Sequence, residues 1–252
     1  MNLTGDAIVC AVFGHGENGA VVRVLTAEAG LQAGYIRGGR SRKLRPTLQP
    51  GNLIQIDLRS RVDDQLAAAT VELLTSRAPL TLDALGAATL DWVTGLTAAV
   101  LAEGQVYPGV YEAMSGLLTV MDHSEDARPW AAAVARYELL LLERLGFGLD
   151  LSQCAATGSR DNLIFVSPKS ARAVSRDAGM PYAGKLLPLP AFLRGEPGLA
   201  DWPDIAAGLR TTGHFIERTL LAHRRGADLM SSRERLTQRV AKRAVTPYTP
   251  DP

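Results

Sequence analysis

The fold of this chain is decided by AIVCAVF at residues 7–13, AVVRVLT at 20–26 and LQAGYI at 31–36. Two further segments with strand character follow, LIQIDL at 53–58 and LAAATVELL at 66–74, and the last of them is also compatible with a helix. Gly, Asn and Pro separate the segments, as in GHGENG at 14–19 and QPGN at 49–52, and these residue types form turns between strands. The sequence therefore predicts about five short strands before residue 80, enough for a small closed barrel.

After Pro79 the pattern changes to Ala- and Leu-rich segments with apolar residues three and four apart, at 90–101 and 130–145. This period predicts helices. Asp126 or Ser124 can cap the second helix, and Gly146 can end it. A small β-ribbon is expected at 162–166 and 172–175, and helix resumes from 204 to about 244. We therefore predict an α+β protein in which a five-stranded OB-fold (oligonucleotide-binding) barrel, or alternatively an SH3-like barrel, precedes a helical region.

Composition excludes a disordered chain, since 46% of the 252 residues are hydrophobic and 21% are charged. The formal net charge is +1, but it is uneven: residues 1–80 hold nine Lys/Arg and seven Asp/Glu, residues 81–150 three and ten, and residues 151–252 fifteen and nine. Two basic regions can thus face a polyanion, although a random spread of solvated charge has the same appearance. The two cysteines are far apart and no signal or membrane-spanning segment is visible, so we expect a cytoplasmic protein.

Motifs for catalysis are weak. The glycines of GHGENG at 14–19 resemble a dinucleotide-binding loop, but the following residues have strand character, so no helix N-terminus is available for a pyrophosphate and a hairpin connection is expected. The four histidines show no metal-binding spacing. Asp63 and Asp64 are adjacent and would point to opposite faces of a strand. We expect no catalytic residues and no cofactor.

The most informative cluster is RGGRSRKLRP at 37–46, which carries five cations and no acid directly after a predicted barrel strand. Guanidinium groups bind phosphate in a bidentate manner, and a barrel can hold a nucleic-acid strand between its loops. A solvated charge run is the alternative. The cluster predicts a DNA-binding loop made of Arg37, Arg40, Arg42, Lys43 and Arg45.

These features together resemble the RecO family of bacterial repair proteins. The resemblance rests on the strands at 7–9 and 21–24, GGRSR at 38–42, LQP at 48–50, the helix RYELLLLERLGFG at 136–148 leading to Cys154, and SRE at 232–234. These segments follow the order and spacing of the family, and together they extend over nearly the whole chain. The resemblance implies binding of single- and double-stranded DNA, strand annealing, and help for RecA in loading onto DNA coated by single-strand-binding protein (SSB), with RecR as partner.

The resemblance also implies a zinc-ribbon-like insertion, and here the chain departs from the family. Zinc-bearing relatives have two Cys-x-x-Cys pairs, whereas this chain has Cys154 with Thr157 and Ser175 with Ala178. One ligand of four cannot hold a structural zinc. We therefore predict no zinc, a buried Cys154 thiol, and a ribbon held by Leu163, Phe165 and Val174.

The resemblance extends the set of candidate residues. Further DNA contacts are expected at Arg23 in the second strand and at Arg224, Arg225 and Arg233, although Arg233 belongs to the SRE element and can be structural. Arg136 and Arg144 are candidates for the acidic SSB tail, although they can instead pair with Glu143 or face water.

The predicted domains are an OB-fold DNA-binding domain at 1–80, a central helical domain at 81–150, a degenerate zinc-ribbon-like insertion at 151–190, a C-terminal helical part at 191–245 that packs on the central domain, and a disordered tail at 246–252. The expected function is that of a non-catalytic recombination mediator of the RecFOR pathway in the bacterial nucleoid. A protein-interaction adaptor without DNA affinity is the second candidate, and an enzyme with an unrecognised site is the third.

Overall fold

The structure is a computed structural model, which describes residues 2–60, 65–222 and 227–245. The chain divides into two compact units, Met1–Asp122 and His123–Pro252. The predictions for Asp63, Asp64, Arg224, Arg225 and the tail at 246–252 lie outside the described residues.

The first unit begins with a closed five-stranded barrel, which confirms the predicted OB-type fold. Its strands are β1 (Asn2–His15), β2 (Gly19–Thr26), β3 (Gly30–Ile36), β4 (Leu53–Arg59) and β5 (Ala67–Thr75). They follow the order β1-β2-β3-β5-β4, and β1 closes the barrel by pairing with β4. The segment that was ambiguous with helix is therefore β5. The glycine-rich loop at 14–19 is the expected hairpin connection, because His15 pairs with Gly19.

The barrel core follows from the alternation of side chains along the strands. Residues that point inward are almost fully buried, among them Val9, Val22, Val24, Ile54, Ile56 and Leu58. The register of β1 and β2 shifts between Val9 and Ala11. Such a bulge bends a strand. Ala7 of β1 pairs with Thr26 of β2 on one side and with Ile54 of β4 on the other, so β1 joins both of these strands in the closed barrel.

Two helices complete the first unit, α1 (Ala84–Val100) and α2 (Val110–His123), whose last residue falls in the second unit. Asp83 caps α1 by accepting hydrogen bonds from the backbone N–H groups of Leu85 and Gly86 at 3.1 and 2.9 Å. Trp92, Val93 and Leu96 are completely buried. In the described part of the chain, no helix has the length and apolar character needed to cross a membrane.

The second unit contains α3 (Ala127–Arg144), α4 (Arg176–Gly179), α5 (Trp202–Phe215) and α6 (Ala227–Val245). Asp126 caps α3 by accepting the N–H of Arg128 at 2.9 Å, and Gly146 adopts a left-handed φ of 86° just after its end, both as predicted. The region expected to be helical from 204 to 244 is interrupted, because α5 ends in a π turn at Ile216–Leu220.

The predicted β-ribbon is present and has a third strand. It consists of β6 (Leu163–Val166), β7 (Ala173–Ser175) and β8 (Leu187–Pro188), with β6 in the centre. Leu163 pairs with Ser175 and Val166 with Ala173. All three residues proposed to hold the ribbon lie in this sheet. Leu163 and Val174 are buried, and Phe165 is half-buried.

Candidate nucleic-acid interface

The basic cluster forms the long connection between β3 and β4. We call its five cations the basic loop: Arg37, Arg40, Arg42, Lys43 and Arg45. All five residues are exposed. Among the described residues, none of them forms an ion pair with a carboxylate. The barrel thus carries a concentration of positive charge at this edge.

Apolar residues anchor this loop to the barrel. Leu48 is buried in the barrel core and Leu44 packs against the same core. The backbone N–H of Arg45 donates to the carbonyl of Ser41 at 3.0 Å, and that of Leu48 to Leu44 at 3.1 Å. The loop therefore winds in helical turns and presents its cations from a hydrogen-bonded backbone.

Asn52 fixes the far end of the loop. Its side chain is completely buried. The Nδ2 group donates to the carbonyls of Pro46 and Thr47 at 2.9 and 3.1 Å, and Oδ1 accepts the backbone N–H of Arg77 at 2.8 Å. The Asn52 amide therefore gives hydrogen-bond partners to three backbone groups, of which the N–H of Arg77 is buried.

Arg77 extends this network. Its NH1 donates to the carbonyl of Gly51 at 2.7 Å, and its Nε pairs with Asp122 in α2 at 3.1 Å. Sequence reasoning missed both Asn52 and Arg77. Asn52 looked like an ordinary turn residue, and no local pattern distinguishes Arg77 from a solvated cation.

Arg40 lies against the connection between β1 and β2. Its backbone N–H donates to the carbonyl of Asn18 at 3.2 Å, and its NH1 to the carbonyl of Glu17 at 3.3 Å. The basic loop and the β1–β2 turn therefore lie side by side at one edge of the barrel.

Arg23 lies apart from the basic loop. Its guanidinium pairs with Glu103 at 2.9 Å and donates to the carbonyl of Ala98 near the end of α1. Its Nε is buried and has no partner in the described part of the chain. These contacts give Arg23 a structural position between β2 and the end of α1.

Arg233 is buried, with 7% of its surface exposed. Its NH2 donates to the carbonyl of Leu209 at 2.5 Å and lies 3.7 Å from Glu138, which is 0% exposed. Thr212 also donates to Glu138. The guanidinium packs directly on Gly213, where any side chain would collide with it. Arg233 therefore joins α3, α5 and α6 through a buried guanidinium.

Arg136 and Arg144 lie on α3 and are exposed. The Nε of Arg136 donates to the carbonyl of Phe192 at 3.2 Å, and its guanidinium lies 5.6 Å from the centre of the Phe192 ring. Arg144 pairs with its neighbour Glu143 at 2.8 Å. The structure therefore gives each of them a local partner.

The ribbon brings together three of the four positions that correspond to zinc ligands. The backbone N–H of Ser175 donates a hydrogen bond to Cys154 Sγ at 3.2 Å. The side chain of Thr157 is also hydrogen-bonded to this sulfur. Burial raises the pKa of Cys154, but hydrogen bonds from Ser175, Thr157 and Ala156 outweigh it and lower the pKa to about 6. One thiol, two hydroxyls and the methyl of Ala178 do not fit a structural zinc. Among the described residues, no group of three or more His, Cys, Asp or Glu could hold a metal ion.

A recess lies between α5 and α6 and has a volume of about 410 Å³. Its apolar wall includes Leu209 and Val240, and its charged residues are the exposed Arg210, the buried Arg233, and Glu217, which lies 3.9 Å from Arg233. The Nε2 of His214, which also lines it, is buried and has no partner among the described residues. An apolar wall beside an exposed cation suits a short acidic peptide. This cleft between α5 and α6 was not identified from the sequence.

Comparison with known proteins gives the class of the chain. Residues 1–77 match the family model "Recombination protein O N terminal", and residues 81–227 match "Recombination protein O C terminal". The border between the two matches falls just after β5.

Curated relatives align over most of the chain. A "DNA repair protein RecO" of Caulobacter vibrioides (strain NA1000 / CB15N) is 44% identical over 86% of this chain and 89% of its own length. Others from Cereibacter sphaeroides (strain ATCC 17029 / ATH 2.4.9) and Ruegeria sp. (strain TM1040) are 41% and 43% identical over 96% of this chain and 99% and 100% of theirs. The chain therefore belongs to the RecO family of DNA repair proteins.

Proposed function

We propose that this protein is a non-catalytic recombination mediator that binds DNA through its basic loop. The observation that carries the proposal is the set of five exposed cations, without acidic partners among the described residues, at the edge of an OB-type barrel. Each cation that neutralises a phosphate releases condensed counterions, so several of them together supply affinity without base specificity. Single and double strands both carry the required charge.

The mechanism is positional. Two complementary strands repel each other until their phosphates are neutralised, and a surface that holds both strands lowers this repulsion and raises their local concentration. Annealing therefore requires no bond chemistry. In the cytoplasm and at the nucleoid, the same surface would hold DNA while SSB is exchanged for RecA in the RecFOR pathway, with RecR as partner.

Recruitment of SSB requires a site for its acidic tail. Arg136 and Arg144 were the sequence candidates, and the cleft between α5 and α6 adds Arg210 beside an apolar wall. Titration calorimetry with the isolated tail peptide distinguishes them. A loss of binding in Arg210→Ala favours the cleft, and a loss only in the double variant Arg136→Ala/Arg144→Ala favours α3.

The test of DNA binding uses fluorescence anisotropy of labelled single- and double-stranded oligonucleotides. In one variant, all five basic-loop cations are changed to Ala. A control removes five exposed cations from the second unit, Arg160, Lys169, Arg176, Lys185 and Arg239, so both variants have the same net charge. The proposal requires that the loop variant lose most of its affinity and that the control keep it.

Equal losses in both variants would mean that only net charge matters. A wild-type protein without DNA affinity at low salt would overturn the proposal and favour the adaptor function, in which the helical region recruits proteins and the barrel does not contact DNA.

A further inference from the structure

A row of three side chains crosses the outer face of β1, β2 and β3, and we call it the outer row: Phe13, Val21 and Tyr35. In the strand register, Phe13 lies opposite Val21, and Val21 lies opposite Tyr35. Their chain neighbours Val12, Val22 and Ile36 belong to the barrel core or pack against it. Because successive side chains point to opposite faces, the outer row points away from the core.

Phe13 is unusually exposed for an aromatic residue on a strand, with 54% of its surface accessible. More than half of the Phe13 side chain is therefore open to solvent. Val21 and Tyr35 are half-buried. Together the three side chains form an apolar strip at the end of the sheet where the β1–β2 hairpin turns.

The ring of Tyr35 is held in place. A Cβ atom at Gly19 would lie 2.5 Å from the ring, so the ring rests directly on the glycine backbone. His15 contacts it edge to face, with ring centres 5.5 Å apart and an interplanar angle of 75°. The ring therefore has a fixed orientation and loses little conformational entropy when something stacks on it.

The outer row borders the basic loop. β3 ends one residue after Tyr35, and Arg37, the first cation of the loop, follows. The Arg40 guanidinium also donates a hydrogen bond to the backbone carbonyl of Glu17, in the turn between β1 and β2. An apolar aromatic strip beside five cations is complementary to a chain that has exposed flat rings and regularly spaced negative charges.

We propose that the outer row is a stacking surface for the unpaired bases of single-stranded DNA, with the phosphates on the basic loop. This inference rests on the proposed DNA-binding function and adds a preference to it. Single-strand-binding barrels combine a basic groove with aromatic side chains, and stacking tolerates any base. In a duplex the bases are already stacked and paired, so only the phosphates can contact this site.

The test compares three ligands of equal length on the full chain: a single strand, the same backbone with abasic sites, and a duplex. The variant Phe13→Leu/Tyr35→Leu keeps apolar bulk but removes both rings. Tyr182→Leu is the control, because Tyr182 is an exposed aromatic residue of the second unit. Circular dichroism and a thermal melt verify the fold. If Tyr35→Leu unfolds the barrel, Phe13→Leu alone serves, since Phe13 is mostly exposed.

Stacking contributes about 5- to 150-fold in affinity per base. We expect wild type and Tyr182→Leu to bind the normal strand at least about tenfold more tightly than the abasic strand. The ring-removed variant should bind both strands as wild type binds the abasic one, with unchanged duplex affinity.

A ring-removed variant that still distinguishes normal from abasic strands would overturn the stacking surface, while DNA binding through the basic loop would stand. Equal wild-type affinity for both single strands would overturn it too. If wild type binds none of the three ligands, the proposed function itself falls. If the variant binds DNA normally but loses a protein partner, the outer row is a protein-docking surface and the inference is wrong.

Discussion

The side-chain Oδ1 of Asn52 accepts a hydrogen bond from the backbone N–H of Arg77 at 2.8 Å, which joins the residue just before β4 to the second residue after β5. The Nδ2 group of the same side chain donates hydrogen bonds to the carbonyls of Pro46 and Thr47, just after the basic loop. A buried side chain that contributes no charge to DNA binding therefore helps to hold the end of the loop on the barrel, beside the apolar anchor Leu48.

Asn52→Ala should destabilise the first unit by about 2 to 4 kcal/mol, because it leaves the buried backbone N–H of Arg77 and two backbone carbonyls without this partner. Urea unfolding measures this difference. Gln49→Ala is the control, since Gln49 is exposed and its side chain makes a single bond to the carbonyl of Arg45. The control should change stability by less than about 0.5 kcal/mol. A similar loss in both variants would show that Asn52 does not anchor the loop.

Glu138→Leu should cost about 3 to 5 kcal/mol, since it removes the fully buried carboxylate beside the Arg233 guanidinium and leaves only the exposed Glu217, 3.9 Å away. The double variant Glu138→Leu/Arg233→Leu should cost much less than the sum of the two single replacements by Leu. Thermal unfolding of the four proteins gives this coupling. Additive losses would mean that the two groups do not interact.

Arg233→Ala should bind DNA like wild type at temperatures where it is folded, because the Arg233 guanidinium is held by Leu209 and Glu138. Anisotropy with a single-stranded oligonucleotide measures this. A large loss of affinity in folded protein would return Arg233 to the set of DNA contacts.

The two cysteines should titrate far apart. Burial raises the pKa of Cys10 to about 12. For Cys154, burial acts in the same direction, but the hydrogen bonds from Ser175, Thr157 and Ala156 lower the pKa to about 6. Ultraviolet thiolate absorbance should therefore show a step near pH 6 that disappears in Cys154→Ser. A first step near the ordinary pKa of about 8.5 would contradict the hydrogen-bonded sulfur.

The same shift has a consequence for stability. A thiol with a folded pKa below its unfolded value stabilises the fold when ionised. The contribution of Cys154 is thus complete above about pH 8.5 and is lost as the pH falls through about 6. Relative to Cys154→Ser, wild type should gain stability between these two values and not outside them.

The ribbon should accept zinc once the missing thiols are restored. Thr157→Cys/Ser175→Cys/Ala178→Cys completes a set of four thiolates around Cys154, which suits tetrahedral zinc. We expect this variant to bind one zinc per chain and to melt at a lower temperature after chelation. Wild type should show neither effect. A fall in the wild-type melting temperature on chelation would contradict the donor set described above.

The barrel and helices were predictable because their signals are local. Alternation in AVVRVLT at 20–26 and capping by Asp126 depend on residues close in sequence. The clamp of Asn52 on Arg77 joins residues 25 positions apart, and the Glu138 and Arg233 pair spans two helices. Such contacts leave no periodic pattern. For Arg233 the sequence left a DNA contact and a structural role open, and tertiary packing shows that it is buried.

The outer row illustrates the same limit. Phe13 and Tyr35 each fit an ordinary strand, and the sequence indicates neither that Val21 lies between them nor that Gly19 supports the Tyr35 ring. The basic loop, in contrast, was visible as a charge run. The contact that Arg40 makes with the β1–β2 turn could be found only from the structure.

The salt dependence of single-strand binding tests the central claim most directly. Each phosphate contact contributes about −0.7 to the slope of log affinity against log salt for single strands. If each of the five cations of the basic loop holds one phosphate, the five-Ala variant should show a slope shallower by about 3.5, with the charge-matched control unchanged. Equal slopes for wild type and the loop variant would contradict the account, because the basic loop would then make no phosphate contacts.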